Sequence, residues 1–116
     1  FGDDGVQEQV AMGMYNKSYS LGELKRHKES IAVCNDIIAK YQDSQNEAIQ
    51  EQVAFAMYNK GYELEEIGKK EDAIKAYDEL ISKFKYHRNN KIQEEVSKAI
   101  GEKAYLLTEL GSQKKH

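Results

Sequence analysis

The sequence lacks proline and tryptophan altogether and holds one cysteine in 116 residues. A lone cysteine excludes an internal disulfide framework and a cysteine zinc cage. A single reduced thiol is the pattern of a cytoplasmic protein, which is the location expected. An excess of one charge is missing too. Lys and Arg number 17 against 20 Asp and Glu, a net charge of −3. No basic surplus exists to drive general nucleic-acid binding. No apolar run approaches the roughly 18 residues of a membrane span, and no charged segment followed by an apolar one opens the chain. What remains is 40% hydrophobic and 32% charged. At this length that suits a single domain burying roughly 65% of its unfolded surface.

The hydrophobic residues are organised by a repeat. Residues 6–24 read VQEQVAMGMYNKSYSLGEL, residues 49–67 read IQEQVAFAMYNKGYELEEI, and residues 92–110 read IQEEVSKAIGEKAYLLTEL. Each block begins 43 residues after the one before, without a gap. The first two agree at 12 of 19 positions and the last two at 9 of 19, so shared helical composition alone does not explain the register. A second segment repeats more loosely, ESIAVCNDIIAKY at 29–41 against DAIKAYDELISKF at 72–84.

Both segments carry the three-and-four spacing of an amphipathic helix. Val6, Val10, Met14, Ser18, Leu21 and Leu24 form one stripe. Ile49, Val53, Met57, Gly61, Leu64 and Ile67 form the next, and Ile92, Val96, Ile100, Ala104, Leu107 and Leu110 the third. The second elements show Ile31, Cys34, Ile37, Ile38 and Tyr41, and then Ile74, Tyr77, Leu80, Ile81 and Phe84. Gly68 suits a helix end, and Glu71 and Asp72 suit the first turn of the helix after it. The spacing predicts five helices, near 5–24, 27–41, 46–67, 70–84 and 90–111. The repeats run 6–48 and 49–91, with a half repeat at 92–116, in one domain over residues 1–116. Phe1-Gly2-Asp3-Asp4 reads as the tail of a preceding second helix, and Gly111 to His116 lead to where a third second helix is due. A fragment of a longer array is the expectation, since repeat units need neighbours or polar caps.

This pattern resembles the tetratricopeptide repeat, W-x2-L-G-x2-Y, then A-x3-F, then P. In the second copy those places hold Met57, Lys60, Gly61, Leu64, Ala73, Tyr77 and Lys85. Gly61, Ala73 and Tyr77 are the specific matches. In the first copy Ser18 and Ser30 stand for the small residues and Cys34 for the aromatic. Small side chains on facing helices permit close approach, Gly61 against Ala73 and Ser18 against Ser30. The third copy offers Ile100, Ala104 and Leu107. The chain departs from the pattern in its period, in its missing proline, and in Lys17, Lys60 and Lys103 at usually apolar places. The nine extra residues are expected to lengthen the start of each first helix, near Asn46–Gln52. A HEAT-type solenoid, with its period of about 40–47 residues, is the architectural alternative. The resemblance implies an all-α fold, a right-handed α-solenoid of antiparallel helix pairs.

Residues for chemistry are sparse. His27, His87 and His116 show no metal-ligand spacing on one helix face and read as solvated surface groups. Cys34 sits among Ile31, Ile37 and Ile38, so it reads as a buried structural thiol. No phosphate-cradling glycine loop occurs. Glu63, Glu65 and Glu66 read as a solvated acidic face, and the basic clusters Lys25 to Lys28 and Lys83 to Lys91 as solubilising charge. No catalytic residue, metal site or cofactor is assigned, and no enzyme is expected.

The distinctive feature is a tyrosine series: Tyr15 and Tyr19, Tyr58 and Tyr62, then Tyr105. A spacing of four places each pair on one helix face. Met12 and Phe55 extend the stripe. Two readings stand: the rings pack between repeats, or they line a surface. The resemblance implies that this face of the first helix lines a concave groove for extended or helical peptides. Tyrosine suits such a groove through large apolar area, a polar tip and few rotamers to lose. Some members of the family clamp a terminal carboxylate with lysines and asparagines there. Only Asn59 and Lys98 fall on matching places, while Tyr15, Tyr19 and Glu102 replace the others, so a less acidic, more aromatic ligand is implied. The candidate partner-binding set is Met12, Tyr15, Tyr19, Phe55, Tyr58, Asn59, Tyr62, Lys98 and Tyr105. The function implied is a protein-binding scaffold with a protein or peptide partner, and neither nucleic acid nor membrane. The alternative is a structural module whose copies associate through the uncapped half repeat, where Val96, Ile100, Ala104 and Leu107 lack a covering helix.

Overall fold

Five helices follow one another with short connections in the computed structural model, which describes residues 3–114. They are α1 (Asp3–Glu23), α2 (His27–Tyr41), α3 (Glu47–Glu66), α4 (Lys70–Phe84) and α5 (Asn90–Lys114). Among the described residues the structure is entirely helical. Phe1, Gly2, Lys115 and His116 lie outside those residues, and with them the Phe1-Gly2 part of the helix-tail reading and His116 as a surface histidine; Asp3 and Asp4, the rest of that tail, are instead the first turn of α1. The first helices of the pairs are long, at 21, 20 and 25 residues, against 15 for α2 and for α4. Residues 47–52 are the opening of α3.

Helix ends are made without proline. Asn46 and Asn89 accept hydrogen bonds from the backbone N–H of Ile49 and Ile92, each at 3.0 Å, which satisfies one orphan donor per helix start. Gln50 then donates its side-chain amide to the carbonyls of Tyr41 (3.0 Å) and Ser44 (2.8 Å). Gln93 donates in the same way to Phe84 (2.8 Å) and His87 (2.6 Å). The same lock thus joins α2 to α3 and α4 to α5. The tight turns inside each pair use a left-handed residue, Gly68 at φ 80° and Lys25 at φ 64°. Such a residue lets the chain reverse onto the last helical carbonyls: Lys69 N–H reaches Leu64 O and Arg26 N–H reaches Leu21 O, both at 2.9 Å.

The helices form two layers. α1, α3 and α5 lie side by side, and α2 and α4 cover them from one side. α3 touches all four other helices, whereas the backbones of α2 and α4 stay apart and only Lys83 of α4 reaches across, to the Gln42 carbonyl at the end of α2 (2.7 Å). One layer closed and the other parted means the array bends, with α1, α3 and α5 on the inside. A hollow of about 550 Å³ lies in the outer gap, floored by Ile38 and Met57 under Lys75, Asp78, Glu79 and Lys83. The core runs along the layer boundary: Ile37, Val53, Met57, Tyr77, Leu80, Phe84, Ile92 and Leu106 are all buried.

The apolar stripes are covered only where a second helix lies on them. Ile49 to Leu64 are buried between α2 and α4. In α1, Val6 and Val10 are exposed, because no described helix precedes it. In α5, Ile92 and Val96 are buried, while Ile100 and Leu107 are each 51% exposed. Val96 thus departs from the expectation that it lacks cover: with Ile92 it belongs to the core cluster that holds Leu80 and Phe84 of α4.

The closest approach within a pair differs between the copies. A Cβ at Gly61 would run into the Tyr77 ring. Gly61 therefore makes room for that buried ring rather than for Ala73. Where the second copy has Gly61, Ala73 and Tyr77, the first has Ser18, Ser30 and Cys34. Ser30 donates to the Ser18 carbonyl at 2.7 Å, the contact anticipated for that pair.

These two glycine environments predict opposite signs. Gly61→Ala gains helix propensity but overpacks the Tyr77 ring, and should lower stability by about 1–2 kcal/mol. Gly13→Ala adds a Cβ into open space on α1 and should raise stability by about 0.5–1 kcal/mol. Urea denaturation followed by circular dichroism measures both.

Candidate functional site

The inner face of α1, α3 and α5 collects the tyrosines. A cavity of about 250 Å³ is lined by Tyr15, Tyr19, Glu23, Tyr58, Asn59, Tyr62, Glu63, Glu95 and Lys98. It contains six residues of the sequence-derived set: Tyr15, Tyr19, Tyr58, Asn59, Tyr62 and Lys98. Met12, Phe55 and Tyr105 lie outside its lining. Phe55 packs on Tyr15 with ring centroids 5.5 Å apart, joining α1 to α3. Met12 and Tyr105 are exposed, at 41% and 58%.

The rings divide by depth. Tyr15 and Tyr58 are half-buried, the latter against Tyr77 at 5.5 Å. Burial pushes both hydroxyls up to about 12. Tyr19 and Tyr62 stand out into solvent, at 54% and 44% exposed. Both readings of the series therefore apply, each to its own rings. The inner column packs between repeats and the outer column presents a surface. Asn59 is at the cavity floor and is buried. Its amide faces Ser18 Oγ (3.3 Å), Ser30 Oγ (3.4 Å) and Cys34 Sγ (3.7 Å). It fills the space left by the small residues of the first copy. Cys34 is fully buried, and burial pushes its thiol up to about 11, so it stays protonated and unreactive near neutral pH.

The acids were harder to foresee. Glu63 and Glu65 do not belong to a solvated face, while Glu66 stays exposed. Glu63 is buried at 3% exposure, with Oε1 2.5 Å from His27 Nδ1. Gly22 makes room for it, since a Cβ there would strike its carboxylate. Glu65 accepts from the Tyr77 hydroxyl at 2.5 Å, and Glu66 from the Tyr62 hydroxyl at 3.2 Å. Two histidines likewise leave the solvated class. His27 caps the buried Glu63, and His87 Nε2 lies 3.1 Å from Glu47 while its Nδ1 accepts from Asn89 N–H. Both are helix clasps. Glu23 and Glu95 had no sequence signal beyond their place one helical turn from lining residues. Lys98 lies over the Tyr58 ring, 4.4 Å from its centroid, and 3.0 Å from Glu95. Burial raises the Glu95 carboxyl, and Lys98 opposes that shift. Among the described residues no three His, Cys, Asp or Glu side chains gather in a metal-holding group, and no helix is long and apolar enough to cross a membrane.

Glu65 carries a pH-dependent consequence. Its carboxyl is raised to about 7, first by burial, with the neighbouring Glu102 carboxyl adding to it and the Tyr77 hydroxyl opposing. A carboxyl raised by folding holds its proton better in the folded chain. Its contribution is thus fully favourable below the unfolded value near 4.5 and is lost as pH rises to about 7. Glu65→Gln keeps an acceptor for Tyr77 and removes the charge. The variant should be more stable than the parent by about 1 kcal/mol at pH 8, a figure reduced for solvent screening of a partly exposed group, and the difference should vanish near pH 4. Thermal melts across pH read it.

Residues 55–85 match the tetratricopeptide repeat family. No curated protein matches the chain, and no solved structure does. The matched segment takes in most of α3, the Gly68 turn and all of α4, so it covers one helix pair with its Gly61–Tyr77 contact. Modules of this family serve in general as non-enzymatic protein-interaction scaffolds. The chain is thus similar to the tetratricopeptide repeat over residues 55–85, within an all-helical array whose α1–α2 pair packs before that segment and whose α5 packs after it.

Proposed function

We propose that this chain is an interaction scaffold that takes a peptide or protein segment on the inner face of α1, α3 and α5. One observation carries the reading: Tyr19 and Tyr62 stand exposed beside a cavity of about 250 Å³ on the concave side of a bent array. Exposed tyrosines are unneeded for the core, whose aromatic members are Tyr41, Tyr77 and Phe84. They offer large contact area at low entropic loss. The deeper Tyr15 and Tyr58 hold the walls apart. Lys98 and Glu95 supply the polar part of the lining, and Asn59 supports the floor. We read residues 3–114 as one unit of two helix pairs and a further first helix.

A second reading rests on Ile100 and Leu107. They continue the stripe that α4 covers on α3, and both are exposed. A second copy of the chain is the occupant it names, since an apolar stripe of this kind tends to be covered. Light scattering over a concentration series should then show a dimer that Ile100→Glu with Leu107→Glu dissolves. A monomer at every concentration overturns this reading.

The groove reading is tested by selecting peptides from a displayed random library and titrating them by fluorescence anisotropy. Tyr19→Ala with Tyr62→Ala should weaken binding about tenfold or more while helicity and melting temperature hold, because both rings are outside the core. Selected peptides that bind the variant as well as the parent overturn the assignment.

A further inference from the structure

The outer tyrosines do not stand alone. Tyr19, Tyr62 and Tyr105 hold the same register on α1, α3 and α5, and each is followed four residues later by an acid: Glu23, Glu66 and Glu109. Tyr62 and Tyr105 donate to their glutamates at 3.2 and 3.0 Å. All three rings are exposed, at 54%, 44% and 58%. The inner face thus carries a ladder of three tyrosine–glutamate pairs, one for each long helix, of which those on α3 and α5 are hydrogen-bonded. Glu23 and Glu66 have no basic partner among the described residues. Glu109 has Lys70 at 3.6 Å.

The protein shows within itself what such a rung attracts. Lys98 places its ammonium 4.4 Å over the Tyr58 ring with Glu95 at 3.0 Å. A cation is drawn to the face of an aromatic ring and to the carboxylate beside it at once. Tyr58 and Glu95 have this cation supplied by the chain itself. Tyr19 with Glu23, and Tyr62 with Glu66, present the same pair of groups to solvent. Their charge excludes an acidic ligand, and their aromatic area favours one with long alkyl stems.

Resting on the groove reading, we propose that the ladder binds an extended basic segment of a partner protein, one Lys or Arg side chain to each of the two open rungs, Tyr19–Glu23 and Tyr62–Glu66. Spacing supports this. Neighbouring packed helices lie about 8–10 Å apart. An extended chain rises about 3.1–3.4 Å per residue. About every third residue of such a segment therefore meets the next rung, and a left-handed extended helix turns those residues to one side.

The test uses short fluorescein-labelled peptides in a Gly-Ser-Gln background with Arg, Gln or Glu at every third position. The Arg peptide should bind at least about tenfold tighter than the Gln peptide, the Glu peptide should not saturate, and added salt should weaken the Arg complex. Tyr62→Ala and Glu66→Gln should each weaken the Arg peptide about threefold, whereas Tyr62→Phe, which keeps the ring, should hold most of the affinity. Both positions are exposed, and circular dichroism verifies that the variants fold. Two results overturn the proposal: no saturable binding of the Arg peptide, or binding indifferent to Tyr62→Ala and Glu66→Gln. If Gln or Glu peptides bind as well and remain sensitive to Tyr62→Ala, the basic partner is wrong while the groove stands. If library-selected peptides also ignore the tyrosines, the groove itself fails.

Discussion

The seating of the Tyr77 ring over Gly61 is the contact on which the rest of the structure depends. The ring is fully buried and meets three partners on α3: the bare backbone at Gly61, the ring of Tyr58 on the inner face, and Glu65, to which it donates. It sets how closely α4 lies on α3. It also props Tyr58 into the lining, where Lys98 of α5 then covers it. Core packing and the candidate site are therefore coupled through one side chain. The first copy solves the same problem with other material. Cys34 is too small to fill the space, and Asn59 of the next first helix enters it with hydrogen bonds to two serines. A buried amide satisfied in this way ties α1, α2 and α3 together.

The bend of the array follows from which helices meet. Three long helices in contact on one side and two short ones apart on the other give a concave face without any special residue at the bend. The long helices matter for the site as well. Each carries an acid one turn after its exposed ring: Glu23, Glu66 and Glu109. Side chains one helical turn apart are neighbours on a helix, so a register shared by three helices becomes a ladder across them.

Much of the fold was legible in the sequence, because a stripe at helical spacing has one way to be buried. The five helices begin and end close to the predicted places, and Asn46, Asn89 and Gly68 mark their ends by local chemistry. The family resemblance, carried by Gly61, Ala73 and Tyr77, coincides with the matched segment. The site was legible in outline. Six of nine nominated residues gather at one cavity, since tyrosines in a shared register must share a face. The acids were misjudged. Glu63 and Glu65 have the same local pattern as any exposed helical glutamate, and their burial depends on His27, Gly22, Tyr77 and Glu102, which are brought to them by other helices.

What the sequence determined by itself is thus periodic and local: helix identity, caps, turns, the repeat register and the column in which each tyrosine stands. Tertiary structure alone decided which members of a column are covered. Val6 and Ile49 occupy the same place in the repeat, as do Met57 and Ile100, yet one of each pair is buried and the other exposed. The physical reason is that a side chain's sequence neighbours fix its direction, whereas its accessibility is fixed by whichever helix lies across from it, and that helix comes from elsewhere in the chain.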